Sequence, residues 1–381
     1  MSIVKFSEVA HRAYTREDRF NTEKIYYVGG EHIDSCELYV TKKGVIKGST
    51  IGPMFYCGFT AGQILFVTRN PHLKKCSIAD FDGICSEKTF VIETKDESIL
   101  TQEYLAIIMQ SDDFWNYCEE NKSGGVNYFL NWSTLADYEF ELPPIKQQLE
   151  IAQKVMSAYR LKQSYKKLLD ATREMVKSQF IEMFGTVENN THNFPIMTIG
   201  EFANCFAGAT PSTSHPEYWE NGRIRWMSSG EVHKGHVEDT DSRITELGYK
   251  SASTRMVPIH SIVIAIAGQG KTRGTVAITE VDLCTNQSLC AIVPDERVNY
   301  SYLYHNLQGR YLELRGLSGD VNGRGGLNLK IIQKIPVILP PIEKQQQFAS
   351  IAQQADKSKS VIQKALVYLN DIQSDELGKI A

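Results

Sequence analysis

A chain of 381 residues is long enough for two or three domains at ~150 residues apiece. With 42% hydrophobic and 23% charged residues, its composition excludes a collagen, a disordered tail and a coiled-coil rod. Against 45 acidic side chains stand 41 basic ones, and the net charge of -4 argues against gripping nucleic acid by bulk positive charge; local basic loops or a cationic partner subunit remain open routes to DNA.

The opening MSIVKFSEVAHRAYTRED carries charges where a secretory signal needs its apolar segment, and no stretch approaches ~18 uninterrupted apolar residues. A cytoplasmic chain without a membrane partner is expected. Cys36, Cys57, Cys76, Cys85, Cys118, Cys205, Cys284 and Cys290 include no C-x-x-C pair and have no histidine tract beside them. Structural zinc is therefore not expected, and reduced thiols fit the cytosol.

In chain order, Gln63 to Val67 and Thr89 to Glu93 read as buried strands, followed by a helix near Gln102 to Tyr117. Then comes LPPIKQQLEIA, Leu142 to Ala152, whose prolines remove backbone donors and can end a strand and open a helix. From Pro144 to Phe184 there is no internal Pro or Gly. Ile151, Val155, Ala158, Tyr165, Leu169, Val176 and Met183 recur at a spacing near 3.5, interrupted by Lys162 and Thr172, and Gly185 ends the pattern. A helix this long would span roughly 60 Å at ~1.5 Å per residue. The order then repeats. Ser261 to Gly268 and Leu289 to Val293 read as strands, Tyr300 to Leu314 as a helix, and LPPIEKQQQFA at Leu339 to Ala349 starts a second seam of Phe348, Ala352, Ala355, Ile362, Leu366 and Leu369. The two apolar stripes either bury against one another or each packs on its own globule.

This recurrence is a duplication. The LPPI elements lie 197 residues apart, Leu130 and Asn131 precede Leu327 and Asn328 by the same offset, SGGVN at Ser123 to Asn127 matches SGDVN at Ser318 to Asn322, and Tyr104-Leu105 pairs with Tyr302-Leu303. The expected domains are 1–141, a helical segment 142–190, 191–338 and a helical segment 339–381. The fold class is α+β: two mixed α/β domains in a pseudo-two-fold repeat, separated by two long coiled-coil helices.

Candidate DNA contacts need cations for phosphates, and amides or guanidinia for base edges. In the first globule these are Lys42, Lys43, Lys47, Arg69, Lys74, Lys75 and Asn127; in the second, Thr210, Ser212, Lys271, Arg273, Asn286, Gln287 and Arg324. Asn131 and Asn328 recur in both copies and read as caps of the turn into the last strand, since a residue kept in both copies serves the shared fold. Trp219 and Trp226 read as core, and Lys162, Lys166, Lys167, Arg173 and Lys177 as a solvated helix face. Gly270, Lys271 and Thr272 match the end of a P-loop, but Ala265 stands where its first glycine belongs. Glu93-Thr94-Lys95 with Asp80 and Asp82 resembles a nuclease metal site, a triplet that chance often produces. A methyltransferase would need an N-P-P-[FY] or D-P-P-Y element, which the chain lacks.

The order globule, LPPI, long helix, twice over, resembles the specificity subunit of type I restriction-modification systems. GATPSTSHPEYW (Gly208 to Trp219), IRWMSSGEV (Ile224 to Val232), GQGKTRG (Gly268 to Gly274), CTNQSL (Cys284 to Leu289) and GLNLKIIQKIPVILPPIEKQ (Gly326 to Gln345) carry the likeness in the second half, and FTAGQILFVTRNPHLKKCSIADFDGICSEKTFVI (Phe59 to Ile92) in the first. The resemblance implies two target recognition domains, each reading half of an interrupted double-stranded DNA sequence, and antiparallel helices that fix the gap. It also implies two modification subunits carrying S-adenosylmethionine, restriction subunits that join them, and a chain with neither catalysis nor a cofactor of its own. The DNA-recognition subunit of a type II enzyme with a fused cleavage and methylation partner would look alike; a P-loop ATPase, a nuclease or a scaffold that does not touch DNA are the readings from other classes.

Overall fold

The computed structural model describes residues 2–268, 272–317 and 326–378. The chain divides into two compact units, Met1–Lys167 with Ile362–Ala381, and Leu168–Val361.

In the first unit, Ser2–Lys5 pairs antiparallel with Glu139–Leu142. A four-stranded antiparallel sheet runs in the order Ala10–Ala13, Thr89–Thr94, Ile64–Val67, Cys76–Ile78, and a five-stranded sheet in the order Thr15–Arg16, Phe55–Phe59, Gly83–Ser86, Tyr26–Val28, Gly44–Val45. Ile64, Leu65 and Phe66 are all fully buried, which is why this strand reads as an uninterrupted apolar run. In the second unit Ile196–Thr198 pairs with Pro336–Ile338, and a sheet of Ala203–Ala207, Leu289–Pro294, Ile262–Ala265, Val276–Thr279 and His236–Val237 reproduces the first unit's four-stranded order and adds one parallel strand. The remaining sheet is different: only Ser242–Ile244, Ile224–Met227 and Cys284–Thr285. Duplication is thus visible in the framework sheets, and divergence is concentrated in the others.

Each of the two shorter helices expected as one piece is two. Gln102–Ile108 is followed by Asp112–Glu120, and Tyr300–Gly309 by Tyr311–Gly316. The first break has a local cause: Ser111 is extended and its hydroxyl accepts from Phe114 N, capping a new helix. The apolar spacing is the same on both sides, so periodicity alone hides the break.

The long helices span Ile145–Phe184 and Ile342–Gly378, and Gly185 ends the first at φ +74°. Within the first unit the helices run antiparallel, with Lys154 3.9 Å from Glu376 and Lys162 Nζ donating to Gln373 Oε1 at 3.3 Å. Burial of the Lys162 ammonium lowers its pKa from the ordinary lysine value. Met156 and Tyr159 face the globule, where Tyr159 lies 5.6 Å from Tyr39 and donates to Glu37 at 2.9 Å. In the second unit Phe180 and Phe184 pack on Phe348, at 5.1 and 5.7 Å, and on Tyr302. The stripes therefore bury against the opposite helix and against the globules together. Of the second seam, Phe348, Ala352, Ala355, Ile362 and Leu369 are buried.

The start of each long helix is fixed by a buried glutamine. Gln148 Nε2 donates to Ile99 O and Pro143 O, both at 2.8 Å, and its Oε1 accepts from Thr101 N at 3.1 Å. Gln345, one repeat later, donates to Arg297 O and Pro340 O, at 3.1 and 2.8 Å, and accepts from Asn299 N at 2.8 Å. Both side chains are wholly enclosed, and all three partners correspond through the duplication.

His305 sits between Phe348 and the Asp356, Lys359 and His236 charges, and burial brings its imidazole down to about 4. An unfolded chain binds that proton near 6.5, so between the two values unfolding takes up a proton and stability decreases as the pH is lowered. Acidification from pH 7 to 4 should destabilise the second unit by up to about 3 kcal/mol through this group. Denaturant titrations of wild type and His305→Gln check this; equal pH slopes would refute it.

Candidate nucleic-acid interface

In the first unit the expected cations gather around carboxylates and rings. Lys42 Nζ lies 2.6 Å from Asp34 Oδ1, and Thr41 donates to the other oxygen at 2.9 Å. Lys42, then Thr41, with Lys75 adding charge, hold the Asp34 carboxyl below its ordinary pKa. Lys75 itself donates to Gly30 O. Asp34 thus collects two cations that are 33 residues apart in sequence. Lys43 stands 4.0 Å from the Tyr26 ring and 4.1 Å from Phe81, Lys47 is exposed, and Lys74 pairs with Asp112 at 3.0 Å. The Lys42 and Lys74 pairs lie at the surface, where an ion pair contributes about 0–1 kcal/mol, so these ammonium groups are held weakly. The Arg69 guanidinium lies 5.1 Å from the Phe129 ring, and Asn127, two residues before Phe129 in the chain, is exposed.

In the second unit, four expected residues come together. Thr210 donates to Gln287 Oε1, Ala209 N donates to Thr285 O at 2.9 Å, and Asn286 N donates to Met227 O at 3.0 Å. This joins GATPST to CTNQSL. A Cβ on Gly208 would stand 2.0 Å from Thr285 O, so only glycine lets these segments approach. Beneath them Trp219 and Trp226 meet edge to face at 5.0 Å, donating to Ser212 O at 3.2 Å and Ala209 O at 3.0 Å. Both tryptophans therefore support the loop, with Trp226 in the core. Arg273 is half-buried in the turn before Val276–Thr279, whereas Lys271 and Arg324 lie outside the described residues.

Sequence reasoning missed Arg225 and Arg243. They face each other across neighbouring strands and share Asp239, Arg225 Nε at 3.0 Å and Arg243 Nη2 at 2.8 Å from both oxygens. The only sequence signal is the alternation in IRWM, which puts Arg225 opposite the buried Trp226. Asn328 caps Leu329–Gln333 with its side chain, bonding Ile331 N at 3.0 Å, while Asn131 holds the same position before Trp132–Ala136 without a side-chain bond. Both caps open a helix ahead of the last strand.

The competing readings find no converging geometry. Glu93 bonds His11 and Gln63, Lys95 donates to Ser7 O and Asp82 bonds Lys24 and Ala61 N, each with separate partners. No group of three His, Cys, Asp or Glu able to hold a metal occurs among the described residues. Ala265, in the place of the P-loop's first glycine, is a buried strand residue.

Each unit also holds a cleft beside the long helices. In the first, of about 420 Å³, the lining includes Ile107, Gln110, Asp112, Val155, Tyr159 and Lys162. In the second, about 670 Å³, it includes His305, Gln308, Arg310, Lys177, Phe180 and Lys359. Ile107, Gln110 and Asp112 fall one repeat before His305, Gln308 and Arg310, so the clefts occupy equivalent places.

Residues 192–367 match a type I restriction modification DNA specificity domain. This segment of the second half carries the family's DNA specificity domain. The chain is 28% identical over 162 residues to the specificity subunit of the type I restriction enzyme EcoR124I/EcoR124II of Escherichia coli, covering 42% of this chain and 40% of that protein. Over 161 residues it is 30% identical to the MjaIX specificity subunit of Methanocaldococcus jannaschii, covering 41% and 35%. The matched segment spans less than half the length of these relatives. As a fold, the chain is similar over its whole length to the type I S subunit of M. genitalium, with a TM-score of 0.68 at 15% identity and 95% of that chain covered. It is likewise similar to a chain solved in work on complex assembly and conformational transition of the type I R-M system, with a TM-score of 0.58 at 20% identity and 97% covered. No helix among the described residues is long and apolar enough to cross a membrane.

Proposed function

We propose that the chain is the DNA-recognition subunit of a type I restriction-modification enzyme. One observation carries this reading: a framework sheet and glutamine lock repeated in both halves, beside second sheets and loops that differ. Two readers on one frame suit a bipartite target whose half-sites differ in sequence. The Asp34 and Asp112 cation groups supply phosphate contacts in the first unit, and the Thr210–Gln287 cluster supplies hydroxyls and amides for base edges in the second. The repeat-equivalent clefts offer two docking faces for modification subunits, with restriction subunits joining that assembly. The chain itself recognises and does not catalyse, and DNA brings it to the cytoplasm.

Deleting the gene should abolish one interrupted methylated motif from the host genome, and mapping methylated bases with and without it tests the reading. Lys42→Gln with Lys75→Gln should weaken DNA binding by the assembled methyltransferase and lower the slope of its salt dependence by about one for each phosphate no longer neutralised, with the motif unchanged. An unaltered methylation map after deletion would overturn the proposal.

A further inference from the structure

The turn from Ser123 to Phe129 presents an apolar tip that recognition of individual bases does not account for. Its base is closed by Ser123 N donating to Phe129 O at 2.8 Å and Phe129 N to Ser123 O at 2.9 Å. Asn70 N bonds Tyr128 O and Leu130 N bonds Thr68 O, both at 2.9 Å, tying the turn to the chain that leaves the framework strand Ile64–Val67. Gly124 holds φ +99°, and a Cβ there would lie 2.6 Å from Asn127 O, so the turn depends on this glycine. At the tip Val126 is 92% exposed, more than any other large apolar side chain among the described residues. A single exposed valine is ordinary on a surface. This one is fixed on a braced turn whose Tyr128 and Phe129 rings each carry a cation: Lys122, 4.3 Å from the Tyr128 ring and also bonded to Glu119, and Arg69, 5.1 Å from Phe129.

We infer that this turn is a strut pressing Val126 against the base-pair stack from within a groove of the bound duplex, independently of base sequence. The inference rests on the DNA-recognition reading above. An exposed apolar tip on a turn whose base carries cations suits a groove, whose rims are phosphate and whose floor is sugar and base edge; apolar wedges there partly unstack a base step. Sequence independence follows from the repeat. S-G-x-V-N occurs in both halves, at Ser123 to Asn127 and again at Ser318 to Asn322, the latter outside the described residues. A feature shared by two readers of different half-sites serves what every duplex offers.

The test uses the full chain assembled with its modification subunits, on duplexes carrying the mapped target with 2-aminopurine placed at successive steps. Wild type should brighten the probe at one step of the first unit's half-site. Val126→Ser should lose that signal and bind cognate and unrelated duplexes alike roughly tenfold more weakly, the scale of burying a single apolar side chain, with the methylated motif and salt slope unchanged. Val126→Ile should keep both signal and affinity. Lys122→Gln with Arg69→Gln should instead reduce the salt slope. Wild-type affinity in Val126→Ser, or a changed motif, would overturn the strut. Wild type without salt-sensitive DNA binding would sink it together with the function on which it rests. Unchanged thermal unfolding of each variant identifies the losses as binding effects.

Discussion

Replacing Gln345 by leucine should destabilise the chain by about 3–5 kcal/mol. The substitution leaves Asn299 N–H, Arg297 C=O and Pro340 C=O without their partner in a fully enclosed site. Each stranded buried group costs about 1–3 kcal/mol, offset in part by the greater apolar surface of leucine. Gln148→Leu should cost a similar amount, since Thr101 N, Ile99 O and Pro143 O are stranded in the same way. Gln345→Glu separates the contributions. Its carboxylate still accepts from Asn299 N but faces two carbonyl oxygens, so burial raises its pKa and the variant should regain stability at low pH, where the protonated acid donates to one carbonyl. Urea unfolding of the three proteins at pH 7 and pH 5 measures both effects. A loss below about 1 kcal/mol in Gln345→Leu would mean that the lock is incidental.

These glutamines mark the limit of what the sequence discloses. The duplication, the LPPI boundaries and the helix seams are legible because proline chemistry and a spacing near 3.5 act locally. Ala352, Ala355 and Ile362 are buried as their spacing requires. Gln148 looks like surface because polar residues surround it in KQQLE, and only the fold supplies its three partners. The five-stranded sheet of the first unit is largely illegible for a similar reason. Thr15–Arg16 and Gly44–Val45 are two residues long, and pairing with distant strands makes them strands at all. In the candidate interface, composition identifies lysine-rich loops, but the convergence of Lys42 and Lys75 near Asp34 is a product of folding. So is Arg225 meeting Arg243 across a strand pair. Conversely, GATPST and CTNQSL stand out in the sequence as motifs, and Gly208 explains why they meet.

Removing seven residues from the middle of both long helices should shorten the gap in the methylated motif by about three base pairs while leaving the half-sites intact. Seven residues restore the register of a seam that repeats every 3.5, so the facing stripes still interdigitate after the cut. Each helix loses about 10 Å at 1.5 Å per residue, close to three base pairs at 3.4 Å. The framework sheets and glutamine locks lie outside the excised stretch, so both readers retain their surfaces. Cutting only Ile145–Phe184 should behave differently. With one helix shorter, the antiparallel pairing of Lys154 with Glu376 and of Phe180 with Phe348 cannot be satisfied together, and the chain should lose stability and methylation at every target. Methylation mapping of the two deletions distinguishes these results. Altered half-sites at the original gap in the double deletion would show that the helices do not set the spacing, and would return them to the role of supports for the two globules.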